Sequence, residues 1–420
     1  MKTTTEIYET LVINKVVHGG QGLGVLEDGR KAFIWNALPG ERVRALITKR
    51  KKDFVEGIAE EILEASTERI EPRELIYLAT SPWQIMPLST ENKYKKEIIT
   101  ETFRRESIEL PEFEVESDGK DYEYRNKIEF SFYGDDDGLH YAFYNRGTHQ
   151  KQIVEGSALA LSAINSAAQN LLVELNKMNL RAGDLKSVIL RCTQEGKVVA
   201  ALFVKPKKFT NISTPDGLAG FKVYHSNPRS PASVATELIY ARGDTGLQDV
   251  LLGTAIAYDV IGFFQVNLPL FESALKQIEF FTAGAMNIVD MYSGVGTIGI
   301  PIGDTKTLVE IDSANVAMAR RNIGDQDINV VEASTEKALE YITSDTCLIV
   351  DPPRSGLHKD VVKRILEAKP KQICYLSCNP ATQARDVALL SEAYVIKNFE
   401  GYNFFPRTPH IETLVMLAVK

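Results

Sequence analysis

Residues 287–300 read NIVDMYSGVGTIGI. A short apolar run ends at Tyr292 and passes into a loop holding Gly294, Gly296 and Gly299. Glycine lets a backbone approach a ligand closely, and a helix opening after such a loop offers unpaired N–H groups to polar atoms. A tight β–α turn without any ligand has the same composition, so the loop alone leaves both readings open. Further along, the runs TLVEI (307–311), INVVEA (328–333), TCLIVDPP (346–353) and QICYLSC (372–378) are short, apolar and separated by helical segments. This β–α–β–α rhythm predicts an α/β fold: a doubly wound parallel sheet, Rossmann-like, over residues 256–420. Its chemistry belongs at the carboxyl ends of the strands.

Upstream the pattern changes. ETLVINKVV (9–17), GLGVLED (22–28), KAFIWNAL (31–38), ERVRALITKR (41–50) and FVEGIAEEIL (54–63) are short, rich in β-branched or aromatic residues, and divided by Gly or Asp turns. Five such strands suit an OB-like β-barrel over residues 1–65. The order HGGQGLG (18–24) then LPGERV (38–43) resembles the TRAM domain, an RNA-binding barrel appended to several RNA-modifying enzymes. The cations Arg42, Arg44, Lys49, Arg50, Lys51 and Lys52 face either RNA or water. Residues 66–255 combine a polar connector helix, STENKYKKEIITETFRR (89–105), with a central α+β domain. Its segments YRNKIEFSFY, LHYAFYN, KSVILRCT, KVVAALFVKP and GFKVYHS alternate like antiparallel strands, and a helix lies around ALSAINSAAQNLLVELNKM (160–178). Aromatic and basic residues interleave in YEYRNKIEFSFYG (122–134), as on an RNA-facing surface or simply a half-buried sheet.

A chain of 420 residues with 44% hydrophobic and 25% charged residues is expected to form two or three ordinary globular domains. Its formal charge of -8 does not suit a protein coated in nucleic acid, although local distribution matters more than the total. No apolar stretch approaches the roughly 18 residues of a membrane span, and MKTTTEIYETLVINK has no apolar signal region, so the expected address is the cytoplasm. The cysteines at 192, 347, 374 and 378 form no C-x-x-C pair and no zinc-ligand cluster. Cysteine chemistry therefore rests on a single thiol.

In TLVEID (307–312), Glu310 lies 16 residues after Gly294, close to the roughly 20 at which a carboxylate meets ribose hydroxyls. Loop and acid together indicate an adenosine-bearing cofactor, without separating NAD from S-adenosylmethionine. LIVDPPRSG (348–356) makes that choice: Asp351-Pro352-Pro353 closes a strand with a rigid loop that resembles the acid-Pro-Pro motif of Rossmann-like methyltransferases. Methyltransferases acting on exocyclic amines follow that motif with a stacking aromatic residue. Arg354 stands there instead, against amine methylation.

QICYLSCNP (372–380) delivers Cys378 at a strand's carboxyl end, whereas Cys374 lies within the strand and reads as core. A thiolate serves one kind of methyl transfer in particular. Carbon 5 of uracil is a poor nucleophile until a thiolate adds at carbon 6 and makes an enolate; a separate base must then remove the carbon-5 proton. FFPRTPHIETLVMLAVK (404–420) offers Glu412 at the mouth of a last apolar strand, with His410 two residues before it. A solvated charge at a strand end is the plainer reading of Glu412; beside a nucleophilic cysteine the base is preferred.

FFQVN (263–267), DMYSGVG (290–296), VEID (309–312), VDPPR (350–354), SCNP (377–380) and PHIETL (409–414) occur in the order found in the RNA uracil-5 methyltransferases. The resemblance runs from the barrel through YRNKIEF (124–130) and FYNRGTH (143–149) to the C-terminus. It implies S-adenosyl-L-methionine as cofactor, Cys378 as nucleophile and Glu412 as base. It also implies cofactor contacts from Gln265, Tyr292, Gly294, Glu310 and Asp351, with Gln265 near the target base and Tyr292 equally suited to packing. Two departures stand out. Many rRNA members hold a four-iron cluster on cysteines between barrel and central domain, but ATSPWQIMPLSTENKYKKE (79–97) has none and Ser157 stands at the remaining position. No iron–sulfur cluster and no other metal is expected; Trp83 and Met86 are expected to fill the space with apolar packing. Thr297 replaces an asparagine common in the family, which puts one cofactor contact in question. The expected partner is structured RNA, with 23S rRNA favoured over the tRNA T-loop uridine, no membrane, and an open oligomeric state. A non-catalytic RNA-binding protein and a cytosine-5 methyltransferase are the other readings; the latter type carries Pro-Cys where Pro353-Arg354 stands.

Overall fold

The computed structural model describes residues 6–148, 150–178, 180–230 and 232–420. Strands β1 (Tyr8–Val16), β2 (Gly22–Val25), β3 (Lys31–Trp35), β4 (Arg42–Arg50) and β5 (Phe54–Glu64) close a barrel in the order β1-β2-β3-β5-β4. Every second residue turns inward, as the pleat requires, so Leu11 and Ile13, Ala32 and Ile34, and Val43 and Ala45 fill the interior. The basic residues alternate with them on the outer face, where Arg42, Arg44, Lys49 and Arg50 pair with Glu64, Glu61, Glu56 and Glu9. Such exposed pairs each stabilise by at most about 1 kcal/mol.

A single-turn helix α1 (Tyr77–Thr80) and the long helix α2 (Leu88–Arg105) follow. Helix α2 is more than the polar connector its composition suggests, because it buries Tyr94, Ile98, Ile99 and Phe103 together with Glu91 and Lys95. The two-residue strand β6 (Val115–Glu116) comes next.

A seven-stranded sheet then forms from β7 (Lys127–Asp135), β8 (Gly138–Tyr144), β9 (Lys151–Val154), β10 (Leu185–Cys192), β11 (Val198–Val204), β12 (Gly220–His225) and β13 (Glu237–Gly243). Helix α3 (Ser162–Asn176) covers one face with Ile164, Ala168, Leu171 and Leu175. The sheet is not wholly antiparallel as expected: β11 and β12 run parallel. A parallel pair needs a crossover of a dozen or more residues, and the segment 205–219 between them supplies one. The hairpin β14 (Leu247–Leu251) and β15 (Thr254–Tyr258) turns through Leu252 and Gly253, both at positive φ (47° and 80°), which matches the strands' twist.

The C-terminal part contains α4 (Leu268–Thr282), β16 (Ile288–Met291), β17 (Thr305–Glu310), α5 (Ser313–Asn322), β18 (Asn329–Glu332), β19 (Cys347–Val350), α6 (Lys359–Ala368), β20 (Gln372–Ser377), α7 (Pro380–Leu390), β21 (Tyr394–Tyr402) and β22 (Glu412–Val419). They make an eight-stranded sheet of order β18-β17-β16-β19-β20-β22-β21-β6. The five strands anticipated from the sequence are parallel, and continuous burial in β16, β19 and most of β20 reflects helices on both faces. The expectation of a purely parallel sheet fails at its far side. The last strand β22 enters antiparallel between β20 and β21, and the short β6 extends the edge from outside the C-terminal part. A hairpin-like return from β21 to β22 leaves no helix to reverse the chain, so antiparallel pairing is the only short route.

Candidate active site

The loop after β16 is held open by unusual backbone angles. Tyr292, Gly294 and Gly296 have φ of 66°, 57° and 88°. A Cβ on Gly296 would lie 2.3 Å from Ile300 Cδ1, and one on Gly299 would lie 2.7 Å from Leu308 Cδ2 and 2.9 Å from Asp290 Oδ2. The loop therefore hugs its own sheet and presents bare backbone outward. Residues Gly294–Ile300 form successive turns rather than the α-helix expected, because their N–H groups are spent locally: Gly296 N donates to Ser293 O at 2.8 Å and Gly299 N to Asp290 Oδ2 at 2.9 Å. Tyr292 is half-buried and packs against the core at the loop's root.

Glu310 at the end of β17 accepts from Gly294 N (2.9 Å), Ile311 N (2.9 Å) and Asp312 N (2.7 Å), so its carboxylate sits at the mouth of the glycine loop. Asp312 is occupied otherwise: it caps α5, accepting from Ala314 N and Asn315 N, a role that stabilises by about 1 kcal/mol. Asp290 is fully buried in β16 with Oδ1 unpartnered, and burial pushes its pKa up to about 8. Asp351 follows β19, and burial pushes it up to about 7. Gln265 is buried just before α4, its carbonyl accepting from Asn126 Nδ2 at 3.0 Å, while Asn126 N donates to Val266 O at 3.2 Å. Asn267 reaches across to Phe404 O at 3.3 Å. These contacts fasten the YRNK and FFQVN segments to the chain that leads into β22.

Register brings Cys378 and Glu412 together. Ser377 of β20 pairs with Thr413 of β22, so the next position outward places Cys378 beside Glu412 at the sheet's end. Glu412 is 5% exposed, and burial and then Asp351 raise its pKa well above the carboxylate range against the opposing pull of Arg354 and Lys95. Burial, Glu412 and Asp351 push the Cys378 thiol up to about 11, with Arg354 opposing. Asn379 caps α7 through Ala381 N (3.2 Å) and donates from Nδ2 to Arg354 O (2.8 Å), and Thr382 Oγ1 donates to the same carbonyl (3.2 Å). The DPPR loop is thereby tied to the cysteine loop. Cys378 opens into a cavity of about 320 Å³ whose wall draws on every part of the chain: His18 and Trp35 of the barrel, Arg146 of the central sheet, and Arg354 and His410. The Arg146 guanidinium lies 3.9 Å above the Trp35 ring.

A family model described as tRNA (uracil-5-)-methyltransferase matches residues 89–212 and 262–420, more than half of the chain. The chain belongs to that family. It is an RNA uracil-5 methyltransferase with S-adenosylmethionine as methyl donor. A TRAM domain model matches residues 5–59. Curated relatives include an uncharacterized RNA methyltransferase of Lactiplantibacillus plantarum, 29% identical over 94% of this chain and 94% of its own. Another, from Thermotoga maritima, is 27% identical over 98% of this chain and 99% of its own. Among solved structures, the Pyrococcus abyssi tRNA (uracil-54, C5)-methyltransferase in complex with S-adenosyl-L-homocysteine shares the fold, with a TM-score of 0.77 and 23% identity over 98% of this chain and 99% of that one.

Of the family positions read from sequence, Cys378, Glu412 and Asp351 share one electrostatic neighbourhood, Glu310 and Gly294 are hydrogen-bonded to each other, and Tyr292 forms the root of their loop. Trp83 and Met86 are buried as expected, but their surroundings are not purely apolar. Buried Gln84 donates to Ser81 Oγ and to Glu74 Oε2 (both 2.7 Å), and Glu74 accepts from Ala158 N, next to buried Ser157, at 2.6 Å. Two further residues stand out only in the structure: Asn379 as a clamp and Asp290 as a buried acid. An Asn-Pro pair at a helix start is the N-cap signature that would have found the first. No helix among the described residues is long and apolar enough to cross a membrane.

Proposed function

We propose that this methyltransferase works through a covalent bond between the sulfur of Cys378 and carbon 6 of a uridine, with Glu412 as the base. The supporting observation is the pairing of β20 with β22, which sets a buried carboxylate beside a thiol that opens into a cavity large enough for a nucleobase. The thiolate adds to carbon 6 and the ring's electron pair moves toward carbon 5. S-adenosylmethionine, when bound, supplies the methyl group that carbon 5 takes up. Glu412 then accepts the carbon-5 proton; the freed pair restores the double bond, and the carbon–sulfur bond breaks with its electrons returning to sulfur. Burial keeps the thiol protonated at rest, so its proton passes to solvent through the open cavity as the sulfur adds, and it leaves the carboxylate a strong base once ionised.

The residues fit the cofactor. The loop at Gly294 and Gly296 offers backbone without Cβ, and Glu310 stands at its mouth held by three N–H groups, as ribose recognition requires. Gln265, Tyr292 and Asp351 complete the proposed cofactor wall, and Gln265 also faces the target base. The work divides among the barrel (1–65), the connector and central RNA-binding region (66–255) and the catalytic region (256–420). The RNA is a large-subunit rRNA in the first reading, which rests on the barrel. A second reading, the tRNA T-loop uridine, is favoured by a barrel-to-C-terminus match in fold to the Pyrococcus abyssi tRNA (uracil-54, C5)-methyltransferase. Mass spectrometry of both RNAs from a strain lacking this protein decides: one 5-methyluridine disappears from the true substrate, and its persistence in both overturns the reading.

A further inference from the structure

Helix α2 sends two charged side chains into the protein at successive turns. Glu91 and Lys95 are both fully buried and lie 2.9 Å apart. Taking such charges out of water is costly unless every remaining donor and acceptor is used. Here they are used on one target: the segment between β21 and β22. Lys95 Nζ donates to Asn403 Oδ1 (2.5 Å) and Phe405 O (3.3 Å). Glu91 accepts from Asn403 Nδ2 (2.9 Å) through one oxygen and from Arg407 N (2.9 Å) through the other. Arg407, at a φ of 65°, is also held by Trp83 N donating to its carbonyl (3.1 Å), and its guanidinium donates to Met86 O and Asp121. A non-glycine residue at positive φ persists only where its surroundings impose it.

The segment so gripped carries the base. Asn403 follows Tyr402, which is the cross-strand partner of Glu412. Pro409, at its other end, packs where a Cβ on Gly20 of the barrel would collide with it, and Trp83 Nε1 donates to Gly20 O at 3.0 Å. The ionisable groups around Glu412 are Cys378 and Arg354 on one side, Asp351 just after β19, and Lys95 from α2. Of these, Lys95 is the one cation with no access to solvent.

We propose that Lys95, locked in place by Glu91, is a positioning residue for the methylation reaction: it fixes the Asn403–His410 segment and presents a buried positive charge to Glu412, so that the carboxylate is held in place and ionisable for proton removal. This rests on the reading of Glu412 as base. The connector helix, outside the Rossmann-like part, thus belongs to the catalytic apparatus.

The test uses full-length enzyme, S-adenosylmethionine and unmodified substrate RNA. Proton removal precedes release of the cysteine, so an enzyme slowed at that step accumulates a protein–RNA adduct that survives denaturing electrophoresis. Lys95→Met is expected to cut turnover about 30-fold, less than the roughly 10²–10⁴-fold of a lost general base, and to accumulate that adduct. The KM for S-adenosylmethionine should stay within about twofold. Unchanged turnover, or lost turnover without adduct, overturns the proposal. Because one buried charge left alone can unfold a protein, Glu91→Gln/Lys95→Met removes both. That double variant should fold and show the same adduct, whereas recovered turnover would reduce Lys95 to a structural role and overturn the proposal. Glu412→Gln serves as reference: if it turns over normally and gathers no adduct, the base assignment itself has failed, which is distinguishable from failure of Lys95 alone.

Discussion

The eight-stranded sheet has two halves that hold their functional groups differently. In the parallel half, Glu310, Asp312 and Gly294 are fixed by neighbours at most 16 residues away, through caps, turns and backbone N–H groups. In the antiparallel half, Cys378 and Glu412 meet only because β22 slides in beside β20, and the segment leading to Glu412 is gripped by a helix some 300 positions earlier in the chain. The proposed cofactor side is built from nearby sequence, and the proposed reactive side from long-range assembly. A cofactor is common to many enzymes of this sheet type, so a self-contained loop suffices; the proposed thiol and base must be placed relative to each other, and cross-strand register does that.

Four substitutions probe this contrast. Cys378→Ala should lower product formation roughly 10⁴-fold or more while calorimetry shows S-adenosylmethionine binding unchanged, because nucleophile and cofactor loop sit on different halves. Lost cofactor binding would show the halves to be one unit. Glu412→Gln should cost about 10²–10³-fold in kcat. In the unsubstituted enzyme kcat should rise with pH, since a carboxyl held well above its ordinary range works only when ionised; a flat profile from pH 6 to 9 would speak against it. Gly296→Ala introduces a Cβ at a φ of 88° against Ile300, so cofactor affinity should fall about tenfold, with roughly 1–2 kcal/mol of stability lost in denaturant titrations. The smallest effect belongs to Asp290→Asn. Asp290 is neutral when folded until about pH 8 but ionises near its ordinary value when unfolded, so its raised pKa favours the folded state at low pH and that contribution drains away as pH rises toward 8. The variant should therefore match the parent near pH 4 and gain on it in stability as pH rises toward 8. A gain independent of pH would contradict the buried-acid description.

The parallel half was legible in the sequence because short apolar runs, glycines and prolines carry local meaning: NIVDMYSGVG and LIVDPPR announce strand ends wherever they occur. The barrel was legible for the same reason. The helix expected after Gly299 was not formed, since Asp290 and Ser293 draw the loop's N–H groups into turns. The parallel pair β11–β12 escaped because alternation reports a pleat and not a direction, and β6 escaped because two residues show no period. Most instructive is STENKYKKE. Glu and Lys four apart on a helix ordinarily mark a solvated face. Here Glu91 and Lys95 point inward, and only the presence of Asn403 and Arg407 opposite them, three hundred residues on, makes that orientation favourable.

The proposed reaction depends on a sulfur–carbon bond between Cys378 and the pyrimidine. It is tested most directly by incubating the enzyme with S-adenosylmethionine and substrate RNA carrying 5-fluorouridine at the target, then digesting and weighing the cross-linked peptide. Fluorine cannot leave as a proton does, so a stable complex is expected, with the methylated fluorouridine attached to the peptide containing Cys378. A complex on another residue, or an active enzyme that yields none, would contradict it.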